Sequence, residues 1–337
     1  MKIPKATKLP SGSWNCRLRI QGQEISITKP TEKEAVAEAM AIKSGIMKAA
    51  KSSGGEQTVR QALDAYIESR RNILSPSTIR GYCILRDGHF SSVMGAKLSA
   101  ITQAKWQQLV NAESRFFSAK TMHNAWGLMA SAIKYATGET ITVRLPQIVH
   151  EERAWLTPEQ IPVFVEAIHG DPAEITALLA LSSLRRSEIM ALRWEDVDLK
   201  AGILHVRGAA VYDENYNLIQ KKESKNHTSR RTVPIIPPLQ EALTAANRAG
   251  DTIVQLHPTS ATRRIRQVCQ KNGLPEVSLH GLRHSFASLA YHLQMPEKIA
   301  MEIGGWSDLS TMRNIYTHIS RQDKTHYRSA FTDFFKK

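Results

Sequence analysis

Ser183-Leu184-Arg185-Arg186-Ser187-Glu188-Ile189 runs into Ala191-Leu192-Arg193-Trp194-Glu195-Asp196-Val197-Asp198. Much later comes Leu279-His280-Gly281-Leu282-Arg283-His284-Ser285-Phe286-Ala287. Gly304-Gly305-Trp306-Ser307-Asp308-Leu309-Ser310-Thr311 follows, and then Ile315-Tyr316-Thr317-His318. Taken singly, each piece has an ordinary use. A His-x-x-Arg pair mostly lies on a solvated helix face, an arginine opening a helix caps or solvates, and an isolated Trp or Tyr packs. Their joint order, over roughly the length of one domain, asks for a common explanation.

Chemistry supplies one. A phosphodiester repels nucleophiles because it is already negative, and attack by a side chain builds more charge on its nonbridging oxygens. Guanidiniums accept that charge through paired, planar hydrogen bonds. Each such donor lost typically costs about 3 kcal/mol of transition-state stabilisation. Arg185 and Arg283 are the candidates. A tyrosine hydroxyl ionises near pH ~10, so it needs a positive site and a base to attack at neutral pH. His280 precedes Arg283 by three positions, which puts both on one face of a helix. The leaving 5′ oxygen needs a proton, and a lysine can supply it.

Together these boxes resemble the catalytic signature of the tyrosine recombinase (phage integrase) family. Members cut DNA with a tyrosine and rejoin it to a different end, without metal or nucleotide cofactor. Carried over residue by residue, the resemblance implies a catalytic set of Arg185, Lys225, His280, Arg283, Trp306 and the nucleophile Tyr316, with Glu188 in support. Tyr291 and Tyr327 are the alternative nucleophiles nearby. The family's lysine sits in a β-hairpin ahead of a strand similar to Arg230-Arg231-Thr232-Val233-Pro234. Lys225 aligns best with it; Lys221 and Lys222 are close, and all three can serve as phosphate contacts. At Trp306 many relatives carry histidine. An indole donates one hydrogen bond but cannot shuttle a proton, which moves any base role toward His280. Glu188 matches a frequent family acid that braces the first arginine.

The 337 residues predict two or three domains, and a net charge of +14 predicts an anionic partner. No segment approaches the ~20 apolar residues of a spanning helix, so nucleic acid fits better than membrane. Cys16, Cys83 and Cys269 are scattered and odd in number. They form neither a metal pattern nor a disulfide framework, which suits a reducing bacterial cytoplasm. No Gly-rich phosphate loop followed by Lys and Ser or Thr is present.

Along the chain, the fold class reads as mainly α with small β, in several domains. Residues 1–51 predict a small sheet and a helix. Trp14, Cys16, Leu18 and Ile20 alternate with polar residues, Gln21-Gly22-Gln23 turns, and Thr31 with Glu34 caps a helix. This resembles the family's arm-type DNA-binding domain, with Arg17 and Arg19 as DNA contacts. Lys51 to Gly55 reads as a linker. Residues 56–140 predict an all-helical core-binding domain, with helices opening after Thr58, Ser75, Thr102 and Ser118. Its DNA contacts are expected at Arg70, Arg71, Arg80 and Lys120. A second linker spans residues 137–152. Residues 151–337 predict an α+β catalytic domain, with Lys221, Lys222 and Arg230 added to its DNA contacts.

The resemblance implies a site-specific integrase of a prophage or other mobile element, acting through a 3′-phosphotyrosyl intermediate. Double-stranded attachment sites would be its substrates, bound by a homotetramer on two duplexes. An excisionase and a host DNA-bending protein would be its auxiliary partners, with the enzyme located at the nucleoid. Aromatics after Tyr316 would dock on a neighbour or close their own domain. Two rivals are a type IB topoisomerase, which shares the chemistry, and a non-catalytic architectural DNA-binding protein.

Overall fold

The computed structural model describes residues 5–10, 12–20, 23–37, 39–40, 57–149, 154–221, 230–308 and 335, without the side chains of 19, 20 and 23–25. Lys222, Lys225, Tyr316, Tyr327 and the linker at 51–55 lie outside the described residues. The chain divides into two compact units, Met1–Val149 and His150–Lys337. Among the described residues, no helix is long and apolar enough to cross a membrane.

The first unit opens on an antiparallel sheet of β1 (Ala6–Lys8), β2 (Trp14–Ile20) and β3 (Gln23–Lys29), in that order. The register of β2 with β3 runs from Trp14 opposite Lys29 to Ile20 opposite Gln23. Alternation puts Cys16, Leu18 and Ile27 on one face, where they bury with Ala35 and Ala39 of the helix that follows, α1, described over residues 32–37 and 39–40. Helices α2 (Val59–Arg70), α3 (Pro76–Gly88), α4 (Gln103–Glu113) and α5 (Ala119–Thr137) follow among the described residues. Thr58 and Gln61 form the expected capping box, and the Thr102 and Ser118 hydroxyls accept from the third backbone N–H of their helices. Ser75 makes no such bond; its hydroxyl pairs with that of Ser77. The core centres on Phe90, Trp106 and Trp126, packed edge to face.

Beyond α5 the chain is irregular but tied down. Ile141, Val143 and Leu145 pack on the helical core. The alternate residues face polar partners. Gln103 Nε2 donates to Thr142 O (3.2 Å), Gln107 Nε2 to Arg144 O (3.0 Å), and Gln107 Oε1 accepts from Arg144 N (2.7 Å). His123 Nε2 lies 3.0 Å from Pro146 O. The stretch that reads as a linker is, over these residues, an extended strap pinned to α4 and α5.

The second unit is built around α7 (Glu174–Leu181), whose Ala177, Leu178, Leu179 and Ala180 are fully buried. A short helix apolar all round must sit in a core. Around it lie α6 (Gln160–Ile168), α9 (Pro237–Ala245), α10 (Pro258–Lys271) and α11 (Leu279–His292). Two shorter helices, α8 (Arg186–Ala191) and α12 (Glu297–Gly304), carry site residues at their ends. A three-stranded antiparallel sheet runs in the order β4 (Val197–Asp198), β5 (Ile203–Val206), β8 (Arg231–Pro234). A separate hairpin pairs β6 (Ala209–Tyr212) with β7 (Leu218–Lys221). Its turn is held by the Asp213 carboxylate, which accepts from the backbone N–H groups of Asn215 and Asn217. The sequence marks its turn, Asp213 to Asn217, but not its strands, because Leu218, Ile219 and Gln220 are all exposed and leave no apolar alternation to find.

Candidate functional site

The helix α7 ends at Leu181, and the chain must turn sharply before α8. Ser183 makes the turn in the left-handed region, at φ 73°, while wholly buried. Arg185 then becomes the N-cap of α8. Its backbone N–H donates to Glu188 Oε2 (2.7 Å) and its Nη1 to Glu188 Oε1 (2.8 Å). Its Nη2 donates to the carbonyl of Gly305. The side chain is 39% exposed, so the guanidinium is braced on one side and open on the other.

Arg283 enters from α11 and is nearly buried. Its Nη2 donates to Gly304 O (2.6 Å) and its Nη1 to Ser183 O. Its guanidinium carbon lies 4.8 Å from the centre of the Trp306 ring. The two arginines thus hold successive carbonyls of one turn, the turn that ends α12. That turn needs both glycines. Gly305 sits at φ 60°, and a Cβ on Gly304 would run into the Trp306 ring. Trp306 itself packs with Phe286, Ala287, Ala290 and Ala300.

Glu188, 4% exposed, accepts from Arg185 and, from β8, from Arg231. Burial pushes its carboxyl up. The hydrogen bonds and charge of Arg231, with the Arg185 N–H and charge, outweigh that and hold it below the ordinary carboxylate value. Burial pushes the Arg283 guanidinium down, to about 9, and the Arg185 and Arg231 charges add to the effect while Glu188 opposes it. It therefore stays protonated at neutral pH. Three guanidiniums around one carboxylate leave a net positive pocket suited to an oxyanion.

His280 lies in the first turn of α11, three residues before Arg283, but is exposed where Arg283 is buried. Its ring stands edge to face with His284, at 4.4 Å between centres. Between them, Gly281 lets the chain at Ala154 cross the helix. A Cβ there would meet Ala154 O at 2.5 Å. The crossing is fixed by Ser285, whose hydroxyl donates to Gly281 O and accepts from Leu156 N (2.8 Å).

Residues 154–323 match the model of the phage integrase family, half of the chain. The chain belongs to that family. It is 24% identical over 300 residues to a XerC-like tyrosine recombinase of Caldanaerobacter subterraneus subsp. tengcongensis, covering 74% of this chain and 77% of the relative. Its fold is similar to that of the Tn1549 transposon integrase solved with a circular intermediate DNA, at TM-score 0.62 and 18% identity, over 77% of this chain and 94% of that one. It is also similar to lambda integrase, solved as a tetramer on a Holliday junction, at TM-score 0.56 and 17% identity, over 90% and 96%. The protein is accordingly a site-specific recombinase of the tyrosine type.

Of the residues expected in this recombinase's site, Arg185, Glu188, Arg283 and Trp306 come together, and His280 lies on the same helix as Arg283. Lys225 and Tyr316 lie outside the described residues. Lys221 ends β7, and Arg230 is exposed just ahead of β8. Among the other expected DNA contacts, Arg17 is exposed on β2 and the Arg19 side chain is not described. Arg70 stacks over Tyr66 at 5.2 Å, Arg71 pairs with Glu68, Arg80 is half-buried on α3, and Lys120 is exposed at the start of α5. Sequence reading passes over Arg231, which donates Nη1 and Nη2 to the two oxygens of Glu188 (3.0 and 2.9 Å). Strand alternation carries the missing signal: Arg231 and Val233 face inward while Thr232 and Pro234 face out. A charge on the inward face must find a partner.

Proposed function

We propose that this recombinase cleaves DNA with Tyr316, forms a 3′-phosphotyrosyl link, and lets the 5′ hydroxyl of a partner duplex reverse it. Arg185 and Arg283 bind the nonbridging oxygens, His280 serves as base, Trp306 donates its indole N–H, and Lys225 protonates the leaving 5′ oxygen. Bond energy is kept in the phosphotyrosine, so the cycle needs no nucleotide. The observation that supports this reading most is the convergence of the two guanidiniums on the Gly304–Gly305 carbonyls beside one buried carboxylate. They are preorganised, and charge that grows in the transition state gains from donors already in place.

The biological role we infer is integration and excision of a prophage or other mobile element, by a tetramer on two attachment duplexes. The solved complexes of lambda integrase with a Holliday junction and of the transposon integrase with a circular intermediate support it. Residues 1–51 would serve as an arm-site reader and residues 56–140 as a core-site binder. The direct test incubates the full chain with nicked duplexes tiled across the DNA flanking its gene and traps covalent complexes in detergent. A phosphotyrosyl peptide containing Tyr316, and joining of two duplexes, are expected. Relaxation of supercoiled DNA without joining would indicate a topoisomerase, and binding without any covalent product a non-catalytic role.

A further inference from the structure

We propose that Arg231 is a positioning residue for strand cleavage, holding Glu188 and the α12 turn so that Arg185 and Arg283 share one fixed geometry. The inference rests on the reading that those two arginines meet the scissile phosphate.

Arg231 is 3% exposed in its side chain, and all three of its guanidinium nitrogens donate. Two bond the Glu188 carboxylate in parallel, the geometry in which arginine cannot be replaced by lysine without loss. The third, Nε, donates 2.7 Å to the carbonyl of Ile303 in the last turn of α12. One planar group therefore joins three elements: β8, which carries it; α8, which carries Glu188; and α12, whose end carries Gly304, Gly305 and Trp306. Gly305 lies against it, since a Cβ there would stand 2.9 Å from Arg231 Nη1 and 3.0 Å from its guanidinium carbon. The φ of 60° at Gly305 and this contact are independent reasons for glycine at one position.

The charge arrangement follows. Glu188 faces Arg185 on its own helix start, Arg231 from β8 and, at longer range, Arg283 from α11. With Arg231 in place, the carboxylate is matched by a cation that cannot reach substrate. Arg185 then gives Glu188 one guanidinium nitrogen and keeps an exposed side for phosphate. Without Arg231 the carboxylate would draw Arg185 to itself, or take up a proton because burial disfavours its charge. Either change moves Arg185, and small displacements of a positioning group lower rates by roughly 10²-fold.

The test compares Arg231→Met and Arg231→Lys with the unaltered full chain, on a nicked duplex carrying the cleavage site mapped by the tiling experiment. For Arg231→Met, single-turnover cleavage at saturating DNA should fall roughly 10- to 100-fold, while the dissociation constant changes less than about threefold. Its acid limb should also move to higher pH, because Glu188 now protonates closer to neutrality. Adding Glu188→Gln should remove that shift. Arg231→Lys should restore part of the rate. If Arg231→Met does not fold, Arg231→Lys carries the test, with an intermediate rate expected. A folded variant with the parental rate and pH profile overturns the inference, as does a loss confined to DNA affinity. No cleavage by the unaltered chain overturns the proposed function and this inference with it.

Discussion

Arg283 is a cation with very little access to water, and its hydrogen-bond partners on the protein are two neutral carbonyls. That is an unfavourable place for a charge unless an anion arrives. Arg283→Ala should lower cleavage by roughly 10²–10³-fold, with a smaller effect on binding, measured as single-turnover rates against gel-shift affinity. Without DNA, sulfate at matched ionic strength should raise the melting temperature of the parent more than that of Arg283→Ala, since a ligand of the folded state stabilises it. Glu188 works in the opposite sense. Its folded value lies below the ordinary 4.5, so its contribution is present above pH 4.5 and is lost as pH falls through the folded value. Glu188→Gln should therefore cost about 3 kcal/mol at neutral pH. The gap from the parent should close as pH falls below 4.5, as read by urea unfolding along a pH series. Arg185, Glu188, Arg283 and Trp306 are legible in the sequence because each sits in a short motif whose chemistry can be named. Arg231 is not, because its role exists only once β8 is laid against α8 and α12.

At the scale of elements, α11 shows how packing fixes chemistry. Gly281 exists for the chain crossing at Ala154, and Ser285 ties that crossing down. Gly281→Ala should destabilise the second unit by about 1–3 kcal/mol through overpacking. Ser285→Ala should cost about 1–3 kcal/mol by leaving the buried Leu156 N–H unpaired. Both are measured by denaturant unfolding. Ser183 makes the reverse case. A non-glycine residue at φ 73° carries about 1–2 kcal/mol of strain, so Ser183→Gly should be neutral or stabilising and Ser183→Val clearly destabilising. Sequence patterns give most helices here because caps are local: Thr58 with Gln61, Thr102 and Ser118 are each visible without tertiary information. They give the turn of the β6–β7 hairpin but not its strands, the second of which is exposed on both faces. Nor do they give the strap at 139–149, where glutamine side chains replace the backbone partners that periodicity detects.

For the molecule as a whole, the net charge of +14 sets the dominant long-range force. Each phosphate neutralised should add about −0.9 to the slope of log affinity against log salt. Deleting residues 1–55 should flatten that slope on full attachment DNA and abolish binding to accessory arm sites. Cleavage of a short core duplex should survive, because every proposed catalytic residue lies in the second unit. Unchanged arm-site affinity in the truncated chain would leave the N-terminal sheet with a packing role only.

The stacking of Arg283 on Trp306 also makes the pocket optically visible. Indole emission responds to the electric field at the ring, and here a cation stands 4.8 Å from its centre. An anion that joins the cation changes that field at once. Of the six tryptophans, the only other with a described guanidinium over its ring is Trp194, beneath Arg248. Subtracting the signal of Trp306→Phe from that of the parent should isolate a reporter of phosphate arrival. With it, stopped-flow mixing could time the filling of the pocket separately from the breaking of the strand.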